Sequence, residues 1–212
     1  QSQETVGKWP WGSYESQKKL IFPPAICIRI RMELSEINKY DNLANIIINL
    51  QKWGIHSIIN ENIWADKRFE RGLRWIKRFE GNYLLYLLKN SEDLEITCQR
   101  FFINNKERRI IEDYLNIKKN LRINREKYLN FSPSNWTEFI EKRNLNEETV
   151  KLIISDGGLF WRAFFRWLFV YRFIKSNKDG KLLISEGWKP GKEMGNEIKR
   201  LRYLEIDKIR KK

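Results

Sequence analysis

The stretch WADKRFERGLRWIKRF, residues Trp64 to Phe79, decides the fold class. Phe69, Leu73 and Ile76 recur at spacings of four and three, which stacks them on one side of a helix of 3.6 residues per turn. Lys67, Arg71, Arg74 and Arg78 recur at four, three and four and fall on the opposite side. A strand, alternating faces at every residue, would scatter both sets. The stretch therefore predicts an amphipathic helix, one side packed and the other cationic, with Trp75 beside the basic stripe. Plain amphipathicity explains a charged outer side. A side of one sign is less ordinary, because helices usually intersperse acids that pair at i,i+4. Lys67, Arg71, Arg74 and Arg78 are accordingly candidate phosphate contacts.

Toward the N-terminus, Ile26, Ile30, Leu34 and Ile37 keep helical spacing after Pro23 and Pro24, two residues suited to a first helical turn. Leu43, Ile46, Ile47 and Leu50 mark a second helix, stopped by Gly54. Residues 1–22 carry Pro, Gly, Ser and scattered aromatics without a sustained period and read as a linker. Toward the C-terminus, helices are predicted over Tyr83 to Leu88, Glu107 to Leu121 and Asn135 to Arg143, the last opened by the cap signal Ser132-Pro133. Asp156-Gly157-Gly158 is a turn. Leu159 to Ile174 is apolar almost all round and reads as a central helix, with Arg162, Arg166 and Arg172 reaching out along aromatic faces. Residues 175–184 read as a polar loop and short turn. Gly187, Pro190 and Gly191 then punctuate the chain before a last helix, Lys192 to Arg210. Met194, Ile198, Leu201 and Ile209 form its expected buried stripe, with Lys192, Lys199, Tyr203 and Arg210 facing away. No strand pair, tandem repeat or low-complexity tract is visible. The fold expected is all-α: packed helical hairpins forming an elongated body and tail behind a short linker.

Composition narrows the partners. With 42% apolar and 14% aromatic residues, the chain is no disordered polyelectrolyte. A net charge of +14 and a pI near 9.8 favour a polyanion, either nucleic acid or an anionic membrane surface. Residues 99–130 hold nine Lys/Arg against four Asp/Glu, and residues 189–212 hold the same numbers. In the second segment Lys189, Lys192, Lys199, Arg200 and Arg202 gather at the start and outer side of the last helix. Amides near Lys192 add an anion-binding element there. The plain alternative is a solvated charged side. The most apolar stretch, Leu159 to Ile174, is broken by arginines and too short to span a bilayer, so no membrane partner is expected.

Catalytic chemistry is not visible. Metal-dependent nucleotidyl transfer needs two adjacent carboxylates, and the one Glu-x-Asp, Glu205-Ile206-Asp207, lies in a cationic helix and reads as surface charge. No GxxxxGK[ST], GxGxxG or HExxH occurs, and the single histidine, His56, follows Gly54 in a loop. Cys27 and Cys98 lack CxxC spacing, so neither zinc nor a disulfide framework is indicated. A reducing cytoplasm is the expected compartment, and no signal peptide is read. No catalytic residue, metal site or cofactor is expected in this chain, and its oligomeric state stays open.

Several short motifs resemble a known family. Arg29-Ile30-Arg31-Met32-Glu33-Leu34, preceded by Pro23-Pro24-Ala25, is similar to the helix that follows the catalytic portion in class II CCA-adding tRNA nucleotidyltransferases and the related bacterial poly(A) polymerases. Its Arg and Glu match Arg29 and Glu33, while Ile28 stands where the family has a polar residue. Leu50-Gln51-Lys52-Trp53-Gly54 looks like the L-Q-x-W-G of cyanobacterial-type members. Trp161-Arg162 and Arg166-Trp167 resemble a W-R-x-x-x-R-W. Gly187-Trp188-Lys189-Pro190-Gly191-Lys192-Glu193-Met194-Gly195 is similar to G-x-x-P-G-P-x-x-G, with Lys192 in place of the second Pro. The order and spacing of these matches cover nearly the whole chain.

The resemblance implies that residues 23–90 are the end of a neck and the start of a body, 91–174 the body and 175–212 a tail. Together these would grip the acceptor arm and elbow of tRNA. It implies that a catalytic head binding Mg2+, CTP and ATP precedes this segment, and that the segment alone is inactive. It also implies structural roles for Arg29, Glu33, Pro190, Gly191 and Gly195. The RNA-binding region of a poly(A) polymerase is the nearest alternative. A stand-alone basic helical protein that meets a partner protein or membrane is an alternative of another class.

Overall fold

The computed structural model describes residues 24–37, 43–54, 56–60, 62–63 and 66–209. The linker expected over 1–22, Pro23, Trp64 and Arg210 lie outside the described residues. The helices are α1 (Pro24–Ile37), α2 (Leu43–Lys52), α3 (His56–Ile59), α4 (Lys67–Arg78), α5 (Tyr83–Leu88), α6 (Leu94–Arg100) and α7 (Asn105–Ile123), then α8 (Arg125–Leu129), α9 (Pro133–Glu141), α10 (Glu147–Asp156), α11 (Trp161–Phe169), α12 (Gly180–Ser185) and α13 (Lys192–Ile209). A short 3-10 turn, Tyr171–Phe173, follows α11. No strand occurs among the described residues, so the fold is all-α.

Local chemistry sets the helix starts. Asp66, Asn82, Asp93, Asn104, Ser132, Asn146 and Asp179 each accept a backbone N–H of the first turn they precede. Asn104 and Glu107 complete a capping box. The signal at Ser132-Pro133 acts as expected, although the helix begins at Pro133 rather than Asn135.

The packing centre is α10. It lies against α4, α7 and α11, and Thr149, Val150 and Leu152 to Asp156 are buried. The expectation that Leu159 to Ile174 forms one central helix is corrected. Phe160 takes a left-handed conformation (φ 60°) before α11, and Val170 (φ −130°, ψ −64°) ends it. Leu159, Phe169, Val170 and Phe173 are exposed. A helix is central because of what surrounds it. α10 lies among α4, α7 and α11, whereas α11 leaves Phe169 and Val170 in solvent.

Gly72 makes the α4–α10 approach possible. A Cβ there would lie 1.9 Å from the Tyr86 hydroxyl oxygen and 2.7 Å from the Ser155 carbonyl oxygen. Gly157 ends α10 with φ 62°, a left-handed cap that an L side chain adopts at a cost. Next to it, the buried Asp156 draws four helices together. Its carboxylate lies 3.5 Å from each of Lys89, just past α5, Lys118 of α7 and Arg68 of α4. Burial pushes the Asp156 carboxyl up, but Lys89, Lys118, Arg68 and a hydrogen bond from Tyr114 outweigh it and hold the group below its ordinary range.

Two stripes are redrawn. In α1, Cys27 and Leu34 are buried while Ile26 faces solvent. In α13 the fully buried residue is Ile206, Met194, Ile198 and Leu201 are half-buried, and Ile209 is exposed. Tyr203, expected to face away, packs partly buried against the core. Asp207 is more than surface charge. It accepts the Ser134 amide (2.9 Å) and hydroxyl (2.7 Å), fastening α13 to the first turn of α9.

Candidate nucleic-acid interface

Helix α4 presents its two sides as its periodicity predicts. Phe69, Gly72, Leu73 and Ile76 are buried, and Lys67, Arg71, Arg74 and Arg78 are exposed. None of these four cations forms an ion pair among the described residues. Glu70, three residues after Lys67 and four before Arg74, is the nearest acid on the helix and pairs with neither.

Beside the cations runs a strip of aromatic rings shared by α4 and α11. Trp75 stacks on Phe79 (5.2 Å between centroids, 24° between planes) and meets the edge of Phe165 at 6.0 Å. Phe79 reaches Phe169 at 5.6 Å, Phe165 reaches Phe169 at 4.8 Å, and Trp161 meets Phe165 at 6.2 Å. Trp161, Phe165 and Phe169 are spaced by four and align along one side of α11. Arginines decorate the rings: the Arg78 guanidinium sits 5.7 Å over Trp75, and that of Arg162 5.7 Å over Trp161. Phe169 is 48% exposed, so the strip has an open flank. Cations for phosphates beside rings for bases form the combination that single-stranded and looped RNA uses. Trp75 was visible from the sequence as part of this surface. Arg162 reaches along an aromatic ring as expected, whereas the alignment of Trp161, Phe165 and Phe169 is hidden in a helix expected to be central.

The tail cations divide. Lys189 and Lys192 are exposed and form no ion pair among the described residues. Lys199 lies 3.3 Å from Glu138, and Arg200 is held by Glu197 through two 2.7 Å bonds. Arg202 is a fastener. It donates to both Glu141 oxygens at 2.8 and 2.7 Å and to the carbonyls of Ile174 (2.8 Å) and Tyr171 (3.3 Å), joining α13 to α9 and the 3-10 turn. The Glu141 hydrogen bonds outweigh burial and raise the Arg202 guanidinium above its ordinary value, so it stays charged.

At the other end, Arg29 and Glu33 stand 3.8 Å apart, with side chains 83% and 64% exposed. Arg31 makes the interhelical bridge instead, donating to the carbonyls of Phe101 (2.6 Å) and Phe102 (2.5 Å) at the end of α6 and to Glu107 of α7 (3.1 Å). Pro190 and Gly191 lie in the exposed turn before α13, and Gly195 on its first turns has open space around it.

Among the described residues, no group of three or more His, Cys, Asp or Glu side chains is placed to hold a metal ion. Cys27 and Cys98 are buried, and neither is in a disulfide. No described helix is long and apolar enough to cross a membrane. Compared with family models, with curated proteins and with solved structures, the chain matches none.

Proposed function

We propose that the chain binds structured RNA through the α4–α11 surface. Lys67, Arg71, Arg74 and Arg78 meet phosphates, and the Trp75–Phe79–Phe165–Phe169 strip receives a splayed base. One observation carries this reading: four exposed cations, none ion-paired among the described residues, lie beside an aromatic strip that is exposed at Phe169. Phosphate contacts fix position without reading sequence, which suits a protein that must accept many RNAs of one shape.

The motif order from Arg29 to Gly195 supports a finer reading, in which the RNA is tRNA and the chain is the gripping body and tail of a tRNA nucleotidyltransferase. The poly(A) polymerase reading shares this surface, and general RNA 3′ ends would replace tRNA. In either case CTP or ATP and Mg2+ act at a catalytic part that the residues here do not supply.

Fluorescence anisotropy with labelled tRNA tests the binding. Saturable binding is expected, with log K falling linearly in log salt and several different tRNAs bound alike. Absence of salt-dependent binding would overturn the RNA reading. With tRNA lacking its 3′ end, labelled CTP and ATP, and magnesium, the purified chain is expected to incorporate nothing. Incorporation that tracks with the chain would contradict the assignment of catalysis elsewhere.

A further inference from the structure

A cavity of about 180 Å³ opens between α4, α7 and the turn that joins α10 to α11. Its polar lining is Arg68, Lys118, Arg122, Tyr114 and Asp156. Arg68, Lys118 and Arg122 thus line the wall with one carboxylate, and a fourth cation, Lys89, lies just behind, 4% exposed and 3.5 Å from Asp156 Oδ1. Asp156 cannot satisfy them all. Lys89, Lys118 and Arg68 each stand 3.5 Å from it, longer than the roughly 2.7–2.9 Å of a close charge-assisted pair, and Arg68 and Lys118 donate also to the Asp156 carbonyl (3.0 Å) and the Tyr114 hydroxyl (2.9 Å). Arg122 is exposed and forms no ion pair among the described residues. The site holds an excess of positive charge, with Arg68, Lys118 and Arg122 exposed around its mouth and Lys89 buried behind them.

The remaining wall is apolar, built from Ile117, Leu121, Ile153 and Leu159. Glycine at 158 keeps the mouth open. A Cβ there would meet Asp156 Oδ2 at 3.5 Å and Arg68 Nη2 at 3.9 Å, ordinary contacts, so a side chain is sterically tolerated but would stand over the carboxylate. Burial pushes the Lys89 ammonium down to about 8, with Asp156 pulling it back only in part, as expected where cations outnumber anions.

We propose that this cavity binds one nucleotide, its phosphate held by Arg68, Lys118 and Arg122 and its ring set against the apolar wall. A bare oxyanion would leave that wall unused, and an apolar ligand would leave the cations uncompensated. The nucleotide comes either from a bound RNA or from the free pool, with the same chemistry at the site. The assignment stands on these residues and does not depend on RNA binding at the α4–α11 surface.

The test uses the full chain and AMP, with inorganic phosphate as the ring-free control, followed by calorimetry. AMP is expected to bind saturably and phosphate at least about tenfold more weakly. Arg122→Ala and Lys118→Ala are each expected to weaken AMP about tenfold, the worth of one charged hydrogen bond. Gly158→Leu keeps every charge and is expected to abolish AMP binding by covering the mouth, with circular dichroism confirming the fold. Unchanged AMP affinity in folded Gly158→Leu, or no saturable binding of AMP to the wild type at millimolar concentration, overturns the proposal.

Labelled tRNA separates the two sources. If AMP competes with tRNA and Gly158→Leu weakens tRNA, the nucleotide belongs to the RNA. If tRNA affinity is unchanged in that variant while AMP is lost, the ligand is a free nucleotide. A variant with Arg74 and Arg78 replaced by Ala is expected to keep AMP. Loss of tRNA binding alone in that variant leaves this site intact and speaks only to the α4–α11 surface.

Discussion

Helices α4 and α13 look alike in sequence, each with a run of cations on an apolar-backed helix, and the structure makes them different. On α4, Lys67, Arg71, Arg74 and Arg78 have no carboxylate partner among the described residues. On α13, Glu197, Glu138 and Glu141 hold Arg200, Lys199 and Arg202. Formal charge in a sequence is an upper bound on the charge a partner meets. Acids three residues away, or on a helix packed alongside, reduce it. Among the described cations from residue 189 onward, Lys189 and Lys192 alone form no ion pair. The α4 stripe, by contrast, adjoins rings that a base can stack on.

The strongest way to break this contrast is at Arg202. If it fastens α13, Arg202→Ala should lower stability by about 2 to 3 kcal/mol, because Glu141 is left partly buried without its partner. Chemical denaturation reads the loss, and RNA affinity should hardly move. A large loss of affinity in a stable variant would return Arg202 to the binding surface.

A second test sharpens the account around α4. Lys89 has a folded value of about 8 against an ordinary 10.5, so between those values the unfolded chain binds more protons and this group makes stability rise with pH. Urea midpoints for wild type and Lys89→Met, followed from pH 8 to 10.5, should differ in slope by that contribution. Parallel curves would mean that the buried ammonium is not desolvated as described.

A smaller effect is expected at Phe169, whose ring is half exposed. Phe169→Ala should weaken RNA by about 1 kcal/mol, the lower end for base stacking, with little change in melting temperature. Unchanged affinity would confine recognition to phosphates. Smallest of all, Arg200→Ala should leave RNA affinity and stability essentially unchanged, since an exposed i,i+3 pair contributes little. A tenfold loss of affinity would show that the pair opens to receive RNA.

How legible all this was differs by element. Helix α4 was fully legible, because its packed and solvent-facing sides differ at every position. Tyr83 to Leu88 was legible as a helix because six large apolar residues in a row leave no solvent side, and all six are buried. The hub α10 was not legible. EETVKLIISD opens with two acids and carries a lysine, and its burial comes from three neighbours that its own letters do not mention. The same physics explains Arg31. Arg29 and Glu33 stand out by their match to the family motif, yet they pair in solvent, while Arg31 finds carbonyls about seventy residues away. The cluster of Asp156, Lys89, Lys118 and Arg68 draws on four separate segments, so no local spacing announced it. On α13, choosing Ile209 over Ile206 as the buried residue was a matter of phase, settled by where α9 lies.

The central claim is that available charge resides on α4 and not on the paired part of α13. The direct measurement is the salt dependence of tRNA affinity for three proteins: wild type, Arg71→Ala/Arg74→Ala/Arg78→Ala, and Lys199→Ala/Arg200→Ala/Arg202→Lys. Each phosphate contact removed should flatten the slope of log K against log salt by roughly 0.7 to 0.9. The account predicts a slope flatter by about 2 to 3 for the α4 variant and an unchanged slope for the α13 variant. Equal flattening in both, or flattening in the α13 variant alone, would contradict it.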